Sequence, residues 1–247
     1  MCIRDRALIS AVTFQSLMIF VSVLMLRKLE WLRKDWLVGK FKRTIASQYF
    51  RYALMTLLSA FLVPISQMLL RGYVISEISI TEAGWWEGMN RISNMYLMVI
   101  TSSFSVYYLP RLSEISDRIE LRHEIFKCYK VIVPLLLAGF TVIYFLRFFI
   151  VKLLFTHEFM PMTQLFIWQM AGDFFKICSW LLAFLMVAKS MTKAYISTEI
   201  IFTLSYILLG YTFIRLDGIV GLCQAYLTNY VLYLVVLTFM FRKLLFR

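Results

Sequence analysis

Seven apolar segments divide the chain, and each is long enough to cross a lipid bilayer as a helix. A membrane-spanning helix needs about 20 residues, because it rises 1.5 Å per residue through a hydrocarbon layer about 30 Å thick. The segments cover residues 7–26, 49–70, 84–109, 131–154, 162–188, 194–214 and 218–241. Hydrophobic residues make up 61% of the 247 residues, more than in soluble domains. The sequence therefore predicts an all-α integral membrane protein with about seven transmembrane helices.

Basic residues between the segments predict the orientation of the chain. Most of the Lys and Arg residues outside the segments lie in the first, third and fifth connections and in the carboxyl-terminal tail. By the positive-inside rule these regions are cytoplasmic, so the carboxyl terminus is predicted to be cytoplasmic. The net charge of +12 is explained in the same way, and we expect no nucleic-acid partner.

The connections themselves hold few candidates for chemistry. In the third connection, apolar residues recur at helical spacing, which predicts two short amphipathic helices, with Ser116 or Asp117 capping the second. His123 and His157 are predicted to be solvated surface residues rather than ligands. The four cysteines are scattered without metal-ligand spacing, so we expect neither a metal site nor a disulfide framework.

The third segment carries polar residues along one face, which a lipid-exposed helix would not tolerate. Glu87 and Arg91 are spaced i,i+4, with Asn90 and Asn94 on the same face. Such a face must turn toward other helices or toward a hydrated cavity. The sixth and seventh segments have comparable faces rich in tyrosine, and the fifth segment places Asp173 three residues before Lys176.

Two interpretations of these faces remain open at this point. They can join helices as polar contacts within the bundle, or they can surround a shared cavity in which cations attract phosphate and tyrosine rings stack on sugars. For the cavity, the predicted charge network is Glu87, Arg91, Asp173, Lys176 and Glu199. The predicted polar lining is Asn90, Asn94, Gln169, Tyr195, Tyr226, Asn229, Tyr230 and Tyr233. Motifs of hydrolases, metalloproteases and nucleotide-binding enzymes are not found in the sequence, so we predict no catalytic residue and no enzyme.

Five blocks of sequence together resemble a known family. They are AGWWEGMNRIS, SFSVYYLPRLSE, WQMAGDFFK, LMVAKS and GLCQAYLTNYVLY. In order and spacing they resemble the carboxyl-terminal half of the Wzx-type lipid-linked oligosaccharide flippases, which include O-antigen translocases and enterobacterial common antigen flippases. The resemblance extends from about Arg43 to the end of the chain. The sequence Gly172-Asp173-Phe174-Phe175-Lys176 is similar to a GDxxK pattern of that family.

The resemblance implies a MATE-like fold of the multidrug/oligosaccharidyl-lipid/polysaccharide exporter superfamily, with twelve helices in two lobes. Residues 1–6 would then be a non-native scar, 7–26 the last helix of the first lobe, 27–48 a basic cytoplasmic interlobe linker, and 49–247 the second, six-helix lobe. The chain would lack the remainder of the first lobe, and about five further spans would precede it. The location it implies is the bacterial cytoplasmic (inner) membrane.

The resemblance also implies a substrate and partners. The substrate would be an undecaprenyl-pyrophosphate-linked oligosaccharide, moved from the cytoplasmic to the periplasmic leaflet. Membrane lipids, the missing amino-terminal lobe, a glycan polymerase and a chain-length regulator would be its partners. No cofactor is expected, and a proton or ion gradient would supply the energy. The alternatives are half of a MATE-type multidrug exporter, a membrane glycan polymerase or ligase, and a structural bundle.

Overall fold

The described part of the chain is entirely helical apart from short connections. The computed structural model describes residues 3–27 and 43–246, and no residue in those ranges lies in a β-strand. The helices are α1 (Ile3–Arg27), α2 (Arg43–Glu77), α3 (Ile80–Ser103), α4 (Leu109–Glu114), α5 (Arg118–Leu154), α6 (Phe166–Ala188), α7 (Thr192–Met240) and α8 (Arg242–Leu245). A π-helical turn, Phe104–Tyr108, joins α3 to α4, and a 3-10 segment, His157–Leu165, precedes α6. The predicted all-α fold class is confirmed.

The chain divides into two compact units, Met1–Gln48 and Tyr49–Arg247. The first unit contains α1, whose residues 3–6 belong to the stretch predicted to be a scar. Residues 28–42 of the predicted linker lie outside the described residues, and residues 43–48 form the first turns of α2. Every predicted site residue lies in the second unit.

Four of the described helical stretches are long and apolar enough to cross a membrane. They are Tyr52–Glu77, Arg118–Leu154, His157–Ala188 and Thr192–Met240. A shorter apolar stretch, Val12–Met25, lies in α1. The third predicted span is also helical, in α3 and the π-helical turn, but it is more polar than these four. This multi-pass pattern is that of a membrane protein.

Helix α7 is a hairpin of two limbs, residues 192–216 and 219–240. The reversal is at Asp217 and Gly218, whose backbone angles are not helical, and Gly218 has φ of +57°. In a straight helix, residues 213 and 221 would be about 12 Å apart along the axis. Here a Cβ added to Gly221 would lie only 2.0 Å from the backbone oxygen of Phe213, so the two limbs fold back on each other. The sixth and seventh predicted spans are therefore two antiparallel limbs.

Side-chain caps mark where two of the helices begin. Ser79 precedes α3, and its hydroxyl accepts a hydrogen bond from the backbone N–H of Glu82 at 3.1 Å. Asp117 precedes α5, and its carboxylate accepts from the N–H groups of Ile119 and Glu120, both at 3.0 Å. These are ordinary N-cap contacts. Of the two predicted caps for the second amphipathic helix, Asp117 is the one the structure uses.

The core consists of two apolar clusters with a polar layer between them. Helix α6 shows this arrangement most clearly, because Phe166 and Met170 at its beginning belong to one cluster. Residues 177–186 of the same helix contribute to the other cluster. Between them, Asp173 is fully buried and Lys176 is half-buried. The ionisable groups of α6 therefore lie midway along the bundle, where an isolated charge costs several kcal/mol.

Candidate functional site

A cavity of about 100 Å³ occupies the polar layer, enclosed by α2, α3, α6 and both limbs of α7. We call it the polar pocket. Its lining residues are Val63, Ser66, Gln67, Asn90, Ser93, Asn94, Gln169, Lys176, Trp180, Thr198, Glu199, Phe202, Thr203, Tyr206, Tyr226, Asn229, Tyr230 and Tyr233. The polar faces of several helices thus converge on one cavity.

Most of the predicted site residues line this pocket. Those that do are Asn90, Asn94, Gln169, Lys176, Glu199, Tyr226, Asn229, Tyr230 and Tyr233. Of the remaining four, Asp173 and Tyr195 are connected to the lining by hydrogen bonds, whereas Glu87 and Arg91 lie outside it. The geometry brings these residues together, and their role in binding stays a prediction.

Asp173 lies behind the wall of the pocket and is held by three hydroxyl donors. Its Oδ2 accepts from the hydroxyls of Ser93 and Tyr96, each at 2.5 Å. Its Oδ1 accepts from the hydroxyl of Tyr226 at 2.7 Å. The side chain is fully buried, and a buried carboxylate is tolerated only when its oxygens are hydrogen-bonded. Asp173 therefore fixes the side chains of Ser93 and Tyr96 on α3 and the side chain of Tyr226 on α7.

Lys176 lies on the open side of the same cluster. Its Nζ donates to the hydroxyl oxygen of Tyr226 at 3.0 Å. The ammonium is also 5.2 to 5.4 Å from the ring centres of Trp180, Tyr226 and Tyr230, which is within cation–π distance. This aromatic cage stabilises the ammonium without a carboxylate in direct contact.

Asp173 and Lys176 do not form a direct ion pair. Among the described residues, the ion pairs within 4.0 Å involve neither side chain. The Tyr226 hydroxyl lies between the two, donating to the carboxylate and accepting from the ammonium. Spacing of i,i+3 on one helix predicted that the two charges are close, but it gave no sign that a tyrosine from another helix separates them.

Glu199 forms a second polar group with α2. Its Oε2 accepts from the hydroxyl of Ser59 at 3.3 Å, and the Ser59 hydroxyl is 2.9 Å from the hydroxyl of Tyr195. Tyr195 thus contacts the site through Ser59 rather than from the pocket wall. The carboxylate of Glu199 remains part of that wall, so the pocket presents both a cation and an acid.

Glu87 and Arg91 do not belong to the polar pocket. They contact each other, with Arg91 Nε 3.6 Å from Glu87 Oε1, and the Arg91 side chain is 71% exposed. Helix α3 turns Asn90, Ser93 and Asn94 toward the pocket, which leaves Arg91 on a different side of the helix. The prediction placed Arg91 in the cavity because a wide polar face was assumed, whereas the face that lines the pocket is narrower.

Sequence reasoning missed two partners of Asp173. Neither Ser93 nor Tyr96 was among the predicted site residues. The available sign was that Ser93 and Tyr96 both carry hydroxyls and are three residues apart in a helix that also carries Asn90. The aromatic ring of Tyr96 contacts apolar Phe140, at 5.4 Å between ring centres. Tyr96 therefore has an apolar neighbour at its ring and a carboxylate at its hydroxyl.

Three buried polar atoms around the pocket have no hydrogen-bond partner among the described residues. They are Gln169 Oε1, Asn229 Oδ1 and the Tyr233 hydroxyl oxygen, and all three residues line the pocket. Buried polar groups almost always have partners, because leaving one unpaired costs about 1–3 kcal/mol. Hydrogen-bonding capacity of three residues therefore remains unused beside the polar pocket. Within residues 3–27 and 43–246, no group of His, Cys, Asp or Glu side chains could hold a metal ion.

Comparison with curated proteins identifies relatives along most of the chain. It is 30% identical over 229 residues to the Lipid III flippase of Escherichia coli (strain K12), and equally to that of Shigella flexneri. The resemblance to Wzx-type flippases is confirmed. The aligned region covers 93% of this chain and 55% of each relative, so the chain spans about half the length of these relatives.

Two other comparisons gave no match. The chain matches no family model, and it matches no solved structure. The similarity is to proteins that are named as flippases. It extends across the helices that form the polar pocket, because the aligned region covers nearly the whole chain.

Proposed function

We propose that this chain is part of a transporter that moves an undecaprenyl-pyrophosphate-linked oligosaccharide across a bacterial inner membrane, from the cytoplasmic to the periplasmic leaflet. One observation carries the proposal. Lys176, Glu199 and unpartnered amide oxygens converge on a polar pocket midway along an apolar bundle, with Asp173 hydrogen-bonded to Tyr226 behind its wall. The similarity to Lipid III flippases supports the class of substrate.

Each group in the pocket has a chemical role in this proposal. Gln169, Asn229 and Tyr233 form hydrogen bonds with sugar hydroxyls, which satisfies their unpartnered oxygens. The rings of Tyr226 and Tyr230, 4.8 Å apart between centres, pack against the apolar C–H faces of sugar rings. Lys176 attracts the pyrophosphate, and Asp173 holds Tyr226 in the position that Lys176 requires.

The transport cycle consists of changes in which side of the membrane the polar pocket opens to, and no covalent bond is made or broken. The polar pocket opens alternately to the two sides as helices of the complete transporter move. The polyprenyl chain stays in the lipid beside the pocket. Glu199, whose carboxylate accepts from the hydroxyl of Ser59 at 3.3 Å, takes up and releases a proton from the ion gradient that drives the cycle. No other cofactor is needed, and the carboxyl terminus is cytoplasmic.

An exporter of organic cations is the second candidate. The aromatic rings of Tyr206, Tyr226 and Tyr230 together with Glu199 would suit a cationic drug. The ammonium of Lys176 in the same pocket opposes a second cation, because like charges at this distance repel strongly in a low-dielectric setting. Drug resistance without any glycan phenotype would favour this candidate.

Substitution of the pocket lysine tests the proposal directly. Lys176→Gln keeps a polar side chain but removes the charge, so we expect glycan display at the cell surface to fall about tenfold or more in a flippase-null strain. The substitution is made in the complete reading frame, and membrane abundance is measured by immunoblot. Lys193→Gln, on an exposed lysine of α7 outside the pocket, is the matched control. Normal display by Lys176→Gln, and also by Asn229→Leu, would contradict the proposal.

A further inference from the structure

A second pocket lies at one end of the bundle, where α5 begins, α6 ends and α7 meets α8. We call it the basic pocket. Its volume is about 370 Å³, and its lining residues are Arg118, Leu121, Leu185, Lys189, Met191, Met240, Phe241, Lys243 and Leu244. Three of these are cations, six are apolar, and no carboxylate is among them. The three cations come from separate parts of the chain, so the fold, and not local sequence, brings them together.

The cations of the basic pocket keep donors free for a ligand. In the described part of the chain, no ion pair within 4.0 Å includes Arg118, Lys189 or Lys243. Lys189 Nζ donates to the backbone oxygen of Ile115 at 2.6 Å. That contact fixes the ammonium at the pocket and leaves two of its three N–H donors.

The acids closest in sequence are already engaged elsewhere. Asp117 caps α5 through the N–H groups of Ile119 and Glu120. Glu114 and Glu120 both contact Arg111, at 3.9 and 3.0 Å. These carboxylates are therefore not the counter-ions of the three cations, and the pocket has a local excess of positive charge.

The floor of the basic pocket is apolar. Leu121, Leu185 and Phe241 are 7%, 2% and 8% exposed, and Met240 and Leu244 extend this surface. A free inorganic anion gains nothing from such a floor. A phospholipid has both parts, since its phosphate can contact the cations while the first methylene groups of an acyl chain cover the leucines and the phenylalanine.

The expected position of the pocket in the membrane favours the same ligand. The charge distribution of the sequence predicts this end of the bundle to be cytoplasmic. The cytoplasmic leaflet carries anionic lipids, and basic pockets between helices on that side bind their headgroups. We propose that the basic pocket binds an anionic glycerophospholipid, with its phosphate between Arg118, Lys189 and Lys243 and part of one acyl chain on the apolar floor. This site is separate from the polar pocket and does not depend on the proposed transport function.

Native mass spectrometry of the protein in a neutral detergent tests this site. The protein, from its complete reading frame, is titrated with phosphatidylglycerol or with zwitterionic phosphatidylcholine. The double variant Arg118→Gln/Lys243→Gln is compared with Arg122→Gln/Lys130→Gln, which removes two exposed cations of α5 that do not line the pocket. We expect phosphatidylglycerol to bind about tenfold or more weakly to the pocket variant than to the control.

Each other outcome overturns the site. Equal losses in the two variants would mean general surface attraction, and unchanged binding in both would place the lipid elsewhere. Equal binding of phosphatidylcholine would contradict the proposed contact with an anionic headgroup. Displacement of phosphatidylglycerol by millimolar inorganic phosphate would contradict the proposed contact with an acyl chain. Weaker binding of a polyprenyl pyrophosphate to Arg118→Gln/Lys243→Gln than to the control, without weaker binding of phosphatidylglycerol, would assign the pocket to substrate. Thermal unfolding of the lipid-free variants verifies that both remain folded.

Discussion

The hydroxyl of Tyr226 joins the two charged residues of α6, and it does so from the second limb of α7. It donates to Asp173 at 2.7 Å and accepts from Lys176 at 3.0 Å. Because both neighbours are ionisable, each of these hydrogen bonds is stronger than one between neutral groups. The same atom therefore contributes to the packing of α6 against α7 and to the position of the ammonium in the pocket.

Removal of that hydroxyl is expected to destabilise the protein. Tyr226→Phe keeps the ring but leaves Lys176 without its hydrogen-bond acceptor, at a cost of about 1.5–3 kcal/mol. We expect a fall in Tm of about 5 °C, measured by thermal unfolding in detergent. Tyr206→Phe is the control, because Tyr206 lines the same pocket and its hydroxyl has no hydrogen bond to another described residue. Equal Tm values for the two variants would contradict this role of Tyr226.

The candidate site could be predicted only in part at the scale of single residues. Asp173 and Lys176 were found because an ionisable residue in an apolar segment must have an internal partner. Arg91 does not line the polar pocket, because the rotation of α3 depends on packing against other helices, and a helical wheel gives only the residues that share a face. The bridging position of Tyr226 depends on the register between α6 and α7, which the sequence of neither helix specifies.

The reversal within α7 depends on close contact between its limbs. A Cβ at Gly221 would lie 2.0 Å from the backbone oxygen of Phe213 and 2.6 Å from its carbonyl carbon. Backbone atoms cannot rotate away as a side chain can, so the limbs themselves would have to separate. Gly218 has a different requirement, because its φ of +57° is a conformation that favours glycine.

We therefore expect Gly221→Ala to destabilise the protein by about 1–3 kcal/mol through overpacking. The observable is a lower Tm in detergent together with loss of the helical hairpin's protection in hydrogen exchange at residues 213–221. Gly139→Ala is the matched control, since an added Cβ there has no atom within 4 Å and removal of glycine from a helix is itself favourable. A Tm for Gly221→Ala as high as that of Gly139→Ala would show that the limbs are not in contact.

At the scale of helices, the sequence was more informative than for the site. All seven predicted spans fall in helical segments, because bilayer-length apolar runs have few alternatives in lipid. The length of α2 was underestimated, since Arg43–Glu77 continues beyond both ends of the apolar run 49–70. The π-helical turn Phe104–Tyr108 was also missed.

The charge asymmetry of the whole chain leads to a prediction about its orientation. Ser116 lies in the break between α4 and α5, among the connections that are rich in Lys and Arg, and Glu158 lies in the 3-10 segment before α6, at the opposite end of α5. Both residues are exposed. Since positive loops remain cytoplasmic, a cysteine at position 116 should be inside the cell and one at position 158 outside.

Labelling of intact cells with a membrane-impermeant maleimide measures this orientation. In a background with Cys2, Cys128, Cys178 and Cys223 replaced by Ala, we expect Glu158→Cys to be labelled at least tenfold more than Ser116→Cys. Permeabilised cells should label both sites, which verifies that each thiol is accessible. The reverse pattern would invert the bundle and place the basic pocket in the outer leaflet. An inverted bundle would also move Lys189 and Lys243 away from the anionic lipids of the cytoplasmic leaflet.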